Sequence, residues 1–457
     1  MQTNGNGAVS RRRWLAWGLA GLGGSTVGSM GWAGSGTSVT LPLAQTGLTG
    51  RIVVIGGGMA GTTVAKYLRL WGGTGVQVTL VEAEASYTSH IMSNLVLNGS
   101  RDVASLRYTH DRIVSAYGVK RQRGTVKRIN TATQRVILTD GTRLPYDRVI
   151  VAPGVQFDEA YGLTQADYAT RTPHAWRAGA QTTLLRQQIA AMKPGDVFVM
   201  TIPKAPYRCP PGPYERACLV ADHLKRRLGA AARVVVLDAN ATIQAEPENF
   251  HRAFTQIHAG VIDYRTDVTD VQIDPLTRRV SWTELSGDTV DLQAAVINPI
   301  PPHRATGSEP GDWLAQAGVI NSSDGRWAVV DVLNYESTAV PRVHIIGDAA
   351  QCGLPKAGHV ANQEAKICAD AVLRALGQRA PDPAPVANSA CYSPITANTA
   401  SWLTAVYQYD PVTRSMKVAA DNGSTLTGRA IEAAQINSAN FRQMQGWFTA
   451  LMGDTFA

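Results

Sequence analysis

Five cysteines are present (Cys209, Cys218, Cys352, Cys368 and Cys391), but no two stand as Cys-x-x-Cys. A zinc ribbon and an attached c-type haem both need that spacing and are excluded; nothing else suggests a metal site. No lysine-rich run occurs. Of the net charge of +8, three units are Arg11, Arg12 and Arg13, which leaves +5 for the rest. So mild an excess does not indicate nucleic-acid binding and favours an anionic substrate or partner only weakly. The first 50 residues hold no acidic side chain. What is present is a chain of 457 residues, 44% of them apolar, enough for about three domains and a sizeable core.

Ser10-Arg11-Arg12-Arg13-Trp14-Leu15 precedes an uncharged stretch to about Pro42 whose first half is apolar and glycine-rich. Two arginines before an aromatic and a leucine read as a twin-arginine export signal, with a small-residue cleavage zone at Met30-Gly31-Trp32-Ala33-Gly34. A membrane anchor is the alternative, and so many glycines make a poor spanning helix. Twin-arginine export carries folded proteins, which suits a chain that takes up a cofactor in the cytoplasm. The expected location is periplasmic, where a disulfide persists, with no stable membrane span after export.

The rest of the chain is organised around Arg51 to Glu82. Ile52-Val53-Val54-Ile55 reads as a strand, Gly56-Gly57-Gly58-Met59-Ala60-Gly61 as a turn and Thr62–Trp71 as a helix. Val76–Val81 is a second strand that ends in Glu82. This is a dinucleotide-binding βαβ unit. Gly56 permits the tight turn, Gly58 lets the backbone approach a pyrophosphate, and Gly61 lets the helix pack on the strand. Free N–H groups at the helix start face the phosphates. Glu82, about 20 residues further on, can accept from a ribose hydroxyl. FAD and NAD share this fingerprint.

Arg123-Gly124-Thr125-Val126 begins a strand, Arg135–Leu138 with Gly141-Thr142 a hairpin, and Tyr146–Val151 an apolar strand closed by Ala152-Pro153-Gly154. In this order the segments resemble the two-dinucleotide-domain flavoproteins related to glutathione reductase. The resemblance implies an α/β fold with two Rossmann-like dinucleotide-binding domains and a small α+β C-terminal domain. With the export signal and linker at 1–42, it places the FAD-binding domain at 51–165 and 301–380, the second Rossmann-like domain at 166–300 and the C-terminal region at 381–457, after the Pro381-Asp382-Pro383 linker. It also implies FAD, with contacts from Gly56, Gly58, Gly61, Glu82, Val126, Ala152 and Gly154. Farther on, Val343–Ile346 delivers Gly347-Asp348, whose aspartate would bond the ribityl chain. An N-cap role for Asp348 is compatible with that.

In the second domain, Asp196–Ile202 and Arg233–Asp238 read as strands. Where a second glycine turn would follow, Pro203, Pro206, Pro210, Pro211 and Pro213 remove N–H groups and fix φ. Stable NAD(P)H binding is not expected, which disfavours an NADH-linked disulfide reductase. Asp238 then reads as a loop residue.

The segment that replaces the glycine turn is Arg208-Cys209-Pro210-Pro211-Gly212-Pro213-Tyr214-Glu215-Arg216. A neighbouring cation and a helix start near Pro213 would lower the Cys209 thiol pKa; the other reading is an inert buried cysteine. This string closely resembles one in the flavoprotein subunit of flavocytochrome c sulfide dehydrogenases. So do Gly347-Asp348-Ala349, Leu354–Gly358, Ala361–Lys366 and Cys391-Tyr392-Ser393. The resemblance spans nearly all of the chain from Arg51 on.

It implies a redox-active Cys209–Cys391 disulfide beside the flavin. Sulfide would open it to a cysteine persulfide, and the released thiolate would pass two electrons to FAD through a charge-transfer contact or adduct. A haem on a separate c-type cytochrome subunit would receive them singly, with sulfur or polysulfide as product. Glu215 is a candidate proton acceptor or, equally, a surface or capping residue. Lys356 would stabilise the anionic reduced ring. Cys218 and Cys368, within expected helices, read as core, and Cys352 competes with Cys391 as the partner of Cys209.

One departure stands out. The family carries a cysteine joined to the 8α-methyl of FAD in the loop that here reads Tyr87-Thr88-Ser89-His90-Ile91-Met92-Ser93-Asn94. With His90 in that place no thioether forms; FAD is either held without a covalent bond, the favoured option, or linked to the histidine. In the last region, Ala405–Tyr409 reads as a strand and Arg442–Met452 as an amphipathic helix, with Trp447 and Phe448 serving either an interface with the cytochrome or the core. A sulfide:quinone oxidoreductase would need an apolar C-terminal membrane surface, against which the polar Arg429–Ser438 stretch argues. A non-catalytic flavin electron-transfer or sulfur-carrier protein is the remaining alternative.

Overall fold

Continuous apolar runs mark strands covered on both faces, and Ile52, Val53 and Val54 are each exposed by 2% or less. A computed structural model describes residues 43–420 and 425–457; the expected export signal and its expected cleavage zone lie outside them. Strand β1 (Gly50–Ile55) leads through the glycine turn into helix α1 (Met59–Gly72) and strand β2 (Val76–Glu82). The helix begins at Met59, a turn earlier than expected, with Gly58 as its N-cap residue. After the small antiparallel sheet formed from Val126–Asn130, Arg135–Leu138 and Arg143–Pro145 comes β3 (Arg148–Val151).

The second unit opens with β4 (Val197–Ile202), continues through α2 (Gly212–Leu228) and returns in β5 (Arg233–Asp238). The chain re-enters the first sheet at Ala328–Asp331 and reaches its parallel centre in β6 (Val343–Ile345), followed by α3 (Gly358–Leu376). A final antiparallel pair, β7 (Val386–Pro394) and β8 (Ala400–Asp410), precedes α4 (Ser438–Phe456).

Pairing is parallel throughout the heart of the first sheet, with β6, β3, β1 and β2 side by side; Val54 lies opposite Leu80 on one flank and Ile150 on the other. In the second sheet β4 lies between β5 and Val296–Pro299, again parallel. Parallel order leaves the carboxyl ends of β1, β3 and β6 together, the edge where doubly wound sheets bind ligands. Two Rossmann-like units and an α+β C-terminal region match the expected fold. The last region does not stand off: Met444, Phe448 and Leu451 of α4 belong to the same apolar core as β1 and α1. Lys66 of α1 donates to the Asp454 and Ala457 carbonyls at 2.8 and 2.6 Å, drawing the end of α4 onto α1. Among the described residues no helix is long and apolar enough to cross a membrane.

Candidate functional site

A cavity of about 520 Å³ lies at the carboxyl ends of β1, β3 and β6, where α2 and β7 also meet. The glycine turn forms one wall. Gly56 has φ +96°, and a Cβ there would overlap the Ala152 carbonyl; one on Gly61 would overlap the Gly56 carbonyl. These are the tight turn and the close helix–strand contact expected of them. Gly58 differs: a Cβ there would meet nothing nearer than Tyr87 Cε2 at 3.8 Å, so its bare Cα faces the cavity. Glu82 also lines the cavity; its carboxylate accepts from Gly57 N (2.6 Å) and Glu84 N (2.8 Å). The imidazole of His110, which the sequence did not single out, lies 2.8 Å from the Gly57 carbonyl and backs the turn.

Ala152, Gly154, Gly347 and Asp348 line the cavity as well. Asp348 lies inside a 3-10 turn, Gly347–Ala349, and does not cap a helix, contrary to the N-cap reading. Burial raises its carboxyl pKa, opposed by Arg208. Beneath it, Glu364 accepts from Gly347 N at 2.6 Å and from the Cys352 thiol at 3.1 Å. That contact occupies Cys352, which does not line the cavity.

Lys356 and Val126 do not line the cavity either. The Lys356 ammonium donates to the Asp348 and Ala350 carbonyls, both at 2.8 Å, and lies 3.8 Å from the centre of the Trp327 ring. It clamps the Gly-Asp turn from outside the lining, and its charge still acts on Asp348. Val126 is buried at the start of its strand, opposite Leu138.

Cys209 and Cys391, far apart in sequence, line the same cavity, and both are free thiols here. Cys209 has φ +58°, and its N–H donates to the Lys356 carbonyl at 2.7 Å. A Cβ on Gly212 would come within 2.9 Å of Cys209 Sγ, so glycine there keeps the thiol's place open. Cys391 stands on β7 opposite Leu403. The expected low thiol pKa is corrected: burial, then Glu215, push Cys209 up to about 12, outweighing Arg208 and the hydrogen bond at the start of α2. Burial, then the neighbouring Cys209, also raise Cys391. Desolvation disfavours the charged form more than one cation favours it. Cys218 and Cys368 are fully buried core thiols, as expected.

Glu215 is not a surface residue. It lines the cavity on the first turn of α2, accepts from Asn94 Nδ2 at 2.9 Å, and is pushed up to about 8 by burial, with Glu246 adding to the rise. Next to it the Arg216 guanidinium spends its donors on Asn94 Oδ1, Asn298 Oδ1 and the His174 and Ala175 carbonyls, beneath the Trp176 ring. Glu246, fully buried and bonded to Ser393 Oγ at 2.5 Å, is pushed up to about 7, chiefly by burial. Asn94 and Arg216 stood in quoted motifs, but Glu246 carried no sequence signal.

His90 lines the cavity, and its Nδ1 accepts from Ala178 N at 3.0 Å. Burial holds its pKa well below the usual value, so the ring is neutral with its proton on Nε2. Trp447 borders the cavity against Tyr392 and His359, while Phe448 is core. Asp238 is corrected: it ends β5, is fully buried, and accepts from the Tyr214 and Tyr264 hydroxyls, both at 2.8 Å. Among the described residues no cluster of three or more His, Cys, Asp or Glu could hold a metal ion.

An acid at the end of β2, a glycine turn with an open Cα, an aspartate after β6 and two thiols line this one cavity. That set of groups fits FAD.

Comparison with known proteins gives three family matches. Residues 50–188 match the pyridine nucleotide-disulphide oxidoreductase family. Residues 182–301 match the central region of the sulfide dehydrogenase (flavocytochrome c) flavoprotein chain. Residues 383–456 match the flavin-binding region of flavocytochrome c sulphide dehydrogenase. A probable ferredoxin reductase, CtmF, of Castellaniella defragrans is 33% identical over 318 residues, covering 67% of this chain and 69% of that protein. Among solved structures, the sulfide:quinone oxidoreductase of Aquifex aeolicus superposes with a TM-score of 0.70 at 17% identity, over 89% of this chain and 91% of the other. The putidaredoxin reductase–putidaredoxin complex matches with a TM-score of 0.60 at 18% identity, over 88% and 94%. These two likenesses concern the fold.

Proposed function

The chain belongs to the flavocytochrome c sulfide dehydrogenase flavoproteins, and from that premise we propose that it oxidises sulfide at a Cys209–Cys391 disulfide, sending the electrons through FAD to a c-type cytochrome. The setting we propose is the periplasm, reached by twin-arginine export. The observation that carries the reading is the convergence of Cys209 and Cys391 on the cavity that the glycine turn and Asp348 also line.

FAD, when bound, supplies an acceptor for an electron pair that can be released one electron at a time. The chain's residues supply the rest. With Cys209 and Cys391 joined, hydrosulfide sulfur bonds to one of the two as their S–S bond breaks; one cysteine becomes a persulfide and the other a thiolate. The burial that raises both thiols makes that thiolate a poor resting state; it would be held where a bound FAD could take its electron pair, its sulfur then closing onto the outer sulfur of the persulfide as that sulfur loses its proton. Glu215, on the same wall, takes up the proton of the incoming sulfur. His90 is neutral and its Nδ1 lone pair is engaged by Ala178 N–H, which leaves Nε2 for any histidyl link; with no cysteine in the loop we take FAD to be non-covalent.

Acid precipitation of the purified protein is therefore expected to leave FAD in the supernatant; colour retained in the pellet would mean a histidyl link. The function is tested by anaerobic addition of sulfide. Bleaching of the flavin, reversed by oxidised cytochrome c, supports it. A flavin that stays oxidised while the two cysteines are shown to be paired would sink it in favour of a carrier role. Recovery with a quinone alone would remove the cytochrome.

A further inference from the structure

Three arginines line the cavity, and they differ in how their donors are used. Arg216 is saturated by neutral acceptors. Arg208 is only 8% exposed, yet its guanidinium has no hydrogen bond and no carboxylate ion pair among the described residues; its backbone alone is tied, to His303 Nε2 and Trp176 Nε1. The Phe157 ring centre, at 5.7 Å, is its one side-chain contact of note. Arg177 makes a single 3.3 Å bond, to the Val155 carbonyl, and extends from the cavity into a neighbouring exposed cleft. A guanidinium carries five donors in a fork that matches phosphate oxygens, so most of that capacity is unspent.

Their setting is informative. Arg177 and Arg208 line one cavity with Glu82, Glu84 and Asp348, and the charge of Arg208 bears on both Arg177 and Asp348. Two cations in one cavity, one of them buried without a counter-ion, call for an anion there. In FAD the diphosphate, a dianion, lies between ribose and ribityl chain, where the bare Cα of Gly58 leaves room for it.

We propose that Arg177 and Arg208 neutralise the FAD diphosphate, one charge each. Both residues come from the second Rossmann-like unit, which lacks a glycine turn of its own, so that unit lends its cations to the cofactor of the other. This rests on the FAD reading above and adds to it the residues that select a phosphate-bearing flavin.

The test compares FAD with riboflavin, which has no phosphate, on flavin-stripped wild type, Arg177→Gln, Arg208→Gln and the double variant, by fluorescence titration. Each single change should weaken FAD by roughly 10- to 100-fold, the scale of a hydrogen bond to a charged group. The double variant should lose more, riboflavin affinity should stay within about twofold, and the melting temperature of the apoprotein should not fall. Arg208→Lys should recover part of the loss. Equal weakening of both ligands, or of neither, overturns the proposal. If the flavin cannot be stripped, flavin content as purified is read instead, and full content in the double variant overturns it too. A wild type that binds FAD no better than riboflavin removes the clamp but leaves the flavin reading standing; one that binds neither removes both.

Discussion

Cys391→Ser is expected to give a folded yellow protein whose flavin sulfide no longer bleaches, with the rate of reduction down on the order of 10³-fold or more. Serine fits the place of Cys391 on β7 without disturbing its pairing with Leu403. It cannot form the bond that sulfide must break, and its alkoxide is no substitute for a thiolate. Dithionite should still bleach the variant, which separates loss of chemistry from loss of cofactor. Cys209→Ser should behave alike, whereas Cys352→Ser should reduce at close to the wild-type rate, because Cys352 faces Glu364 and not the cavity. Normal reduction of Cys391→Ser by sulfide would remove the disulfide from the mechanism.

The second large effect is expected at Glu215. Its carboxyl is pushed up to about 8, so at neutral pH it is mostly protonated, and only the ionised fraction can accept a proton. Sulfide-driven reduction should therefore rise with pH through an apparent pKa near 8. Glu215→Gln keeps the acceptor for Asn94 Nδ2 but cannot titrate. It should erase that limb and slow reduction by roughly 100-fold, within the usual range for a general base; the ionisation of sulfide itself would persist in both profiles. Stability gives a second readout. A carboxyl raised from 4.5 to about 8 on folding binds its proton more tightly in the folded state. The associated stability is fully present below 4.5 and is lost as pH rises toward 8. The glutamine variant should be flatter over that window in urea titrations. An unchanged pH–rate profile would move the proton to another group, Glu246 first.

How far the sequence carried can be argued residue by residue. The βαβ unit was legible because each part has a local cause: β-branched runs, glycines where a Cβ would collide, and an acid at the strand end. The cysteine string pointed to the site through the family it resembles, and its prolines excluded a nucleotide turn there. What stayed hidden depends on partners distant in the chain. The Cys209 thiol was expected to be acidic from its neighbours, but burial beneath segments far along the sequence reverses the sign. Lys356 was assigned to the flavin by its position in a motif, and its ammonium instead finds carbonyls behind the turn. Asp238 seemed idle because its tyrosine partners, Tyr214 and Tyr264, are far from it in sequence. Val126 sits in the expected strand with its side chain in the core. Glu246 illustrates the limit: nothing local distinguishes it from a surface glutamate.

The bond from Lys66 to the Asp454 carbonyl joins positions 388 residues apart, and α4, which carries it, also supplies Trp447 to the cavity wall. Loop closure over such a separation is among the last events available to a chain. A ribosome still making α4 holds a protein with its cofactor pocket unfinished on one side. A flavin bound before α4 is made would therefore sit in a pocket open on the Trp447 side.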